Sequence, residues 1–342
     1  MKRNLFLLFV LIVLTGVACL LYYAGMLDHT STTTPLSDFA IEDTASVDQI
    51  FIADQDGNTS VLVRQEDKTW RVNDKYRATD YKVQNLLNGF KNIAVKAQVP
   101  TATKPGVISM IAGRGRKVEI YQNGQLSKTW LIGTCTPDHF GTYMVLETPE
   151  AGRSSEPFIM RMEGFSGCLR QRYFAWEKEW RHTGIFNYPT LDLARVELTN
   201  HESPDNSFDI RYGGGNALEL HAPLLQKQVP VFDTLAVKDY LLLYKKVHCE
   251  TYTSYLENNQ EDSLRNAMPA FTIRVTDNNG GVKKVDLHWK KPDKVQLDPE
   301  GNVMAHDGDR MYAVLANGEV ALVQRYTFDP LLGGITRFAP KP

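Results

Sequence analysis

The sequence predicts an α+β protein: an N-terminal transmembrane helix, then two tandem duplicated domains, each a mostly antiparallel sheet with one long packed helix. Three observations carry the prediction. The chain opens on an uncharged apolar run of membrane-spanning length. Short strand-like segments then alternate with turn residues, and the same series of segments occurs a second time in the second half.

The anchor comes first. In "MKRNLFLLFVLIVLTGVACLLYYAGMLDH" no residue from Leu5 to Leu27 is charged, and about 20 such residues cross a bilayer core. Lys2 and Arg3 precede the run, so the positive-inside rule keeps the N-terminus in the cytoplasm and sends everything after Asp28 outward. The expectation is a single-pass inner-membrane protein with a periplasmic C-terminal bulk. Two alternatives stay open. Ala18-Cys19 has the look of a lipoprotein site, although Gly16 stands where a Leu-like residue is usual, and "LLYYAGM" supplies a poor cleavage site for a removed signal. The Thr-rich "DHTSTTTPLS" then forms a short tether.

The expected organisation is residues 1–27 as anchor, 28–37 as tether, 38–190 as the first domain with an aromatic junction, and 191–342 as the second. A chain of 342 residues with 43% hydrophobic and 23% charged content suits two folded domains. A formal net charge of −2 gives no electrostatic footprint for a phosphate backbone, so nucleic acid is not an expected partner.

The repeat runs element by element. "VDQIFIAD" at Val47 answers "LARVELTN" at Leu193; "TSVLVRQ" and "KTWRVN" answer "SFDIRYG" and "NALELH". Each half then carries a helical stripe, Val83, Leu86, Leu87, Phe90 and Ile93 in the first and Val237, Tyr240, Leu241, Tyr244 and Val247 in the second. Both follow i, i+3, i+4, i+7, i+10, the spacing of one helix face laid on a core. Asp80, and Asp233 or Thr234, stand as N-caps. "KVEIYQNGQ" answers "FTIRVTDNNGG", each strand entering an Asn-Gly turn, and "TYMVLE" with "PFIMR" answers "MYAVLA" with "EVALVQ".

Candidate chemistry is sparse. "GFSGCLRQRYF" at Gly164 looks like the nucleophile segment of L,D-transpeptidases, which makes Cys168 a candidate thiolate with His139 as its base. That family places a His directly before the Gly-Cys pair, where this chain has Ser166, and the repeat sets Cys168 against Leu331, an apolar position. Of the four cysteines, Cys19 falls in the anchor. A Cys135–Cys168 bridge is open in an oxidising envelope, but the expectation is three small, mostly buried apolar residues. The eight histidines lack metal-ligand spacing, and neither a metal nor a cofactor is expected. "ADQDGNTS" lacks the Glu of a calcium loop and "YGGGN" the Lys-Ser/Thr of a phosphate loop, so both are turns.

One segment breaks the repeat. "RYFAWEKEWRHTGIFNYP" gathers Arg172, Trp176, Trp180, Arg181, His182, Phe186 and Tyr188 where the first domain hands over to the second. Such a stretch serves interdomain packing, or a groove that binds a peptide, glycan or partner protein.

Over residues 36–190, through "LSDFAIEDTASVDQIFIAD", "GTYMVLE", "PFIMRMEGFSGCLRQRYF" and "EWRHTGIF", the chain resembles a bacterial family, domain of unknown function 4340. The likeness is looser in the second repeat. It implies a membrane-anchored envelope protein, with an accessory role beside ABC transporters of the gliding-motility type. It carries over no catalytic residue, and relatives tend to have an aromatic residue where this chain has Cys168. The expected function is therefore a non-enzymatic interaction module of an envelope complex. A cysteine-dependent cell-wall enzyme and a receptor for a small glycan or peptide are the alternatives.

Overall fold

The computed structural model describes Thr15 and residues 36–214, 217–253 and 256–340. The expected span Leu5–Leu27, Thr15 apart, lies outside them. Among the described residues no helix is long and apolar enough to cross a membrane. The chain forms two compact units, one holding the residues up to Lys75 and Asp80–Glu177, the other Tyr76–Thr79 and Lys178–Pro342. The change-over thus lies upstream of the expected 190/191 junction.

Unit 1 begins with β1 (Val47–Ala53), β2 (Thr59–Arg64) and β3 (Trp70–Val72). Alternation decides their faces: Val47, Ile50, Ile52, Leu62 and Val72 are buried while their neighbours point out. The β1–β2 turn is the expected hairpin connection, with the Asp54 carboxylate accepting the amides of Asp56 and Asn58 at 3.0 Å. Tyr76–Arg77 (β4) belongs with unit 2. Helix α1 (Asp80–Asn92) buries Val83, Leu86, Leu87 and Phe90 of the predicted stripe, whereas Ile93 starts the following strand; Phe90 meets the Trp130 ring edge-on at 5.1 Å.

The rest of unit 1 follows as β5 (Ile93–Gln98), α2 (Lys104–Arg114), β6 (Arg116–Gln122), β7 (Gln125–Cys135), β8 (Thr142–Thr148), β9 (Gly152–Arg153) and β10 (Phe158–Met162). The sheet order is β3-β2-β1-β6-β7-β8-β10-β5. One face receives α1. On the other, Val107 and Ile111 of α2 pack with Val145, Leu131, Tyr143 and Ile159.

A one-turn helix α3 (Glu177–Trp180) leads to β11 (Gly184–Phe186), β12 (Leu193–Asn200), β13 (Phe208–Tyr212), β14 (Leu218–Ala222) and β15 (Lys227–Gln228). Then come α4 (Thr234–Leu242), β16 (Val247–His248), β17 (Thr251–Tyr252), α5 (Asn258–Asn266), β18 (Phe271–Asp277), β19 (Val282–Trp289), β20 (Arg310–Leu315), β21 (Val320–Gln324) and α6 (Arg325–Phe328). The sheet order is β15-β14-β13-β12-β18-β19-β20-β21-β17. Asp233 caps α4, accepting the amides of Leu235 and Ala236 at 2.9 and 3.0 Å.

From β3 and from β14 onward, the two orders agree position by position. Even an irregularity recurs: the register of β1 on β6 slips between Val47 and Gln49, and that of β12 on β18 slips between Leu193 and Arg195. A bulge at one place in two sheets is a shared feature of design rather than of composition.

Two expectations need correction. Each unit carries a second helix, not one alone. Helix α2, "KPGVISMIAGR", holds Pro and two Gly, and α5, "NNQEDSLRN", has only Leu264 as a large apolar residue, so neither shows a clear stripe. The cysteines are also not three buried thiols. Cys135 and Cys168 form a disulfide, and among the described residues Cys249 is the free cysteine, which is buried.

Candidate functional site

The bridge decides the cysteine question. Cys168 is oxidised to Cys135 across a sequence separation of 33, so its sulfur is not a thiolate nucleophile. His139 lies on the 136–141 loop at φ 60, its amide donating to the Thr136 carbonyl. Thr142 holds the other side of the bridge, its hydroxyl accepting the Leu169 amide at 2.8 Å. This is a structural clasp between the end of β7 and the segment after β10.

The expected aromatic set divides between the units. In unit 1 the Arg172 guanidinium stands over the Phe165 ring at 4.3 Å, and Trp176 is half exposed. In unit 2, Trp180, Phe186 and Tyr188 are buried. Phe186 meets Tyr244 edge-on at 5.3 Å, so it and Tyr188 belong to the unit 2 core. Arg181 is buried between two rings, Tyr76 at 3.5 Å and Tyr252 at 3.6 Å, and its Nη2 donates to Glu319 at 2.7 Å. Burial alone pushes the Glu319 carboxyl up, but hydrogen bonds from Asn317 and Arg181 outweigh it and hold the pKa below the ordinary value.

Backbone bonds explain why residues 76–79 join this unit. The Thr79 amide donates to Trp180 at 2.7 Å and the His182 amide to Arg77 at 2.8 Å. His182 accepts the Gly184 amide at Nδ1 and lies 5.5 Å from the His248 ring. Burial drives the His248 pKa down and pushes the Cys249 thiol up to about 12. Arg181 and His182 therefore work as clamps within the unit 2 fold.

The arrangement best suited to a ligand lies elsewhere, in unit 1, where α2 rests on the outer face of β7 and β8. Contact is close at Gly133: a Cβ there would lie 2.8 Å from Ile111 Cγ1 and 2.9 Å from Met110 Cε. The helix ends at Gly115, whose amide donates to the Ile111 carbonyl, and a Cβ at Gly115 would meet that oxygen at 2.2 Å. Only glycine lets the chain reverse there into β6. The reversal places Arg116 and Lys117 at the mouth of a cleft of about 340 Å³ between α2 and the β9–β10 connection.

Its floor is apolar: Ile111, Leu131 and Val145, with Ile108 and Pro157 on the walls. Its polar rim holds three cations, Arg116, Lys117 and Arg153, beside the neutral Gln55, Ser154 and Ser155; Glu156 also lines it but is held by Lys104 at 2.6 Å. Arg116 Nη1 donates to the carbonyls of Arg170 and Tyr173 at 3.0 and 2.7 Å, and its Nε is buried with no acceptor. Behind it, Arg170 donates to the Gly133 and Arg114 carbonyls at 3.0 and 2.7 Å. Carbonyls orient these two guanidiniums without cancelling their charge. Burial and the neighbouring Arg116 accordingly lower the Arg170 pKa, while Asp54 offsets part of that.

Compared with protein-family models, curated proteins and solved structures, the chain matches none. Its site is therefore argued from its own geometry. Among the described residues no group of three His, Cys, Asp or Glu is placed to hold a metal ion. The cleft escaped the sequence analysis, although "GRGRK" at Gly113 carried a signal: glycines for a tight reversal, interleaved with cations just after a helical apolar run.

Proposed function

We propose that this chain is an extracytoplasmic interaction module of the cell envelope, tethered to the inner membrane through Leu5–Leu27 and built from one duplicated α+β unit. The Cys135–Cys168 disulfide is the observation that carries this reading. Structural disulfides form and persist in oxidising compartments, and the charge asymmetry around the apolar run sends the folded part to that side. The recurrent strand order and shared bulge support duplication. The resemblance to the domain of unknown function 4340 family points to an envelope complex as partner, with ABC-type transporter subunits as leading candidates.

Topology reporters test the location. A C-terminal alkaline phosphatase fusion is expected to be active and a C-terminal fluorescent fusion of the cytosolic type dark; the reverse pattern removes the reading. Crosslinking in intact cells followed by purification from membranes is expected to recover transporter subunits. Recovery of no envelope protein counts against the accessory role. A receptor function is kept as a second reading because the unit 1 cleft favours it.

A further inference from the structure

We infer that the unit 1 cleft is a binding site for a small anionic amphiphile: a single apolar chain ending in a carboxylate or a phosphate. Three features of the cleft combine. Its volume of about 340 Å³ falls at the small end of ligand pockets. Ile111, Leu131 and Val145 give it an apolar floor, and Ile108 leaves 45% of its surface exposed on the wall, so an apolar chain gains by covering it. Its rim carries cations from both sides: Arg116 and Lys117 from β6, and Arg153 from β9 across the intervening β7 and β8, with Arg170 near Arg116.

The charge on that rim is arranged for an incoming anion. Lys117 and Arg153 have carboxylate neighbours, Glu119 at 2.7 Å and Glu147 at 2.9 Å. Arg116 and Arg170 have none within ion-pair distance among the described residues; they donate to backbone carbonyls, and Asp54 acts on both only through space. A guanidinium already fixed by two carbonyls has lost its rotamer freedom before a ligand arrives, which strengthens a charge-assisted contact. The carboxylate lining the cleft, Glu156, is occupied by Lys104.

Unit 2 supplies an internal control. Strand pairing sets Leu131 against Asp286, since Leu131 pairs with Val145 as Asp286 pairs with Val314. By the same register Lys117 corresponds to Thr272. The central floor residue Leu131 and the cation Lys117 are both replaced there, while Val145 keeps an apolar counterpart in Val314, so the inference concerns unit 1 alone. It depends on the cleft and not on the envelope placement, so the topology reporters and the binding experiment fail separately.

The test uses the full chain in a peptide scaffold freed of detergent, titrated with radiolabelled decanoate and with decyl phosphate, empty scaffold subtracted. At least one anion is expected to bind saturably at one site per chain, and the preference between them identifies the head group. Octanoate is expected to bind roughly tenfold more weakly than decanoate, the effect of two methylenes. Decanol, lacking the charge, should be at least about tenfold weaker. Ala112 is exposed on the cleft wall, and Ala112→Trp is expected to abolish binding while near-ultraviolet dichroism stays unchanged. Lys117→Gln and Arg153→Gln, both surface changes, should weaken the anions several-fold and leave decanol alone. No saturable binding of either anion, binding that survives Ala112→Trp, or decanol binding as tightly as the anions overturns the inference.

Discussion

The outer sheet faces of the two units share a strand order but differ in chemistry. In unit 1 the positions are apolar, Leu131, Tyr143, Val145 and Ile159, and α2 packs on them. In unit 2 the register keeps Tyr312, Val314 and Leu322 but sets Asp286 at the Leu131 position, and the neighbouring strands of that face carry a ladder of ions. Arg195 makes paired 2.8 Å bonds to Asp209, Arg195 also meets Glu197 at 3.0 Å, and Lys284 meets Asp286 at 2.7 Å. Helix α5, at the same place in the chain order as α2, is tied instead to a turn, Arg265 Nε donating to the Gly318 carbonyl at 2.7 Å. An apolar residue at the Leu131 position completes the patch that α2 covers, and that cover creates the cleft.

The units also differ in how they hold the segment after the penultimate sheet strand. Unit 1 uses the disulfide; unit 2 buries Leu331, whose carbonyl accepts from the Tyr240 hydroxyl at 3.0 Å. The largest expected effect breaks this contrast. Cys135→Ser with Cys168→Ser should cost about 3–4 kcal/mol, from the loop entropy restored to the unfolded chain. Hydrogen exchange should then show unit 1 amides losing protection while unit 2 amides keep theirs.

Next comes importing the charge of one face into the other. Leu131→Asp should destabilise unit 1 by about 2–4 kcal/mol, because a carboxylate meets Val107, Ile111 and Val145. Denaturant melts and α2 amide exchange would read it, and an unchanged midpoint would break the comparison. Gly133→Ala should cost about 1–3 kcal/mol by pushing α2 off β7, and decanoate affinity should fall with it. Acid sharpens the contrast differently. The Glu319 pKa is lowered in the fold, so its contribution is present above the ordinary value of 4.5 and fades as pH falls below it. Unit 2 should lose protection through that window, and Glu319→Gln should flatten the dependence. Smallest is the reverse swap, Asp286→Leu, worth about 1 kcal/mol because it removes a partly exposed ion pair and the hydrogen bond from the Thr272 hydroxyl.

Much of the architecture was legible in the sequence because period-2 strands and the Val83–Phe90 and Val237–Tyr244 stripes are local patterns, and their order repeats. What stayed hidden depends on contacts distant in sequence. Helix α5 has almost no apolar stripe to betray it, and α2 forms despite Gly106 and Gly113 because Val107 and Ile111 dock on a strand folded later in the chain. Nothing local to Cys135 or Cys168 specifies their pairing. The aromatic run at 172–188 drew attention as a site, yet density of rings in a sequence does not distinguish a platform from a core. Trp180 and Phe186 are almost wholly buried. The cleft needed Arg116 and Arg153 brought together by separate strands.

The placement of Cys249 has a consequence for maturation. Cys135, Cys168 and Cys249 permit three pairwise crosslinks, of which two are wrong. Sunk in the unit 2 interior with its thiol pushed up to about 12, Cys249 supplies almost no thiolate to attack a neighbouring sulfur. Once unit 2 has closed, a simple oxidant therefore suffices to complete the molecule, and no shuffling isomerase is called for.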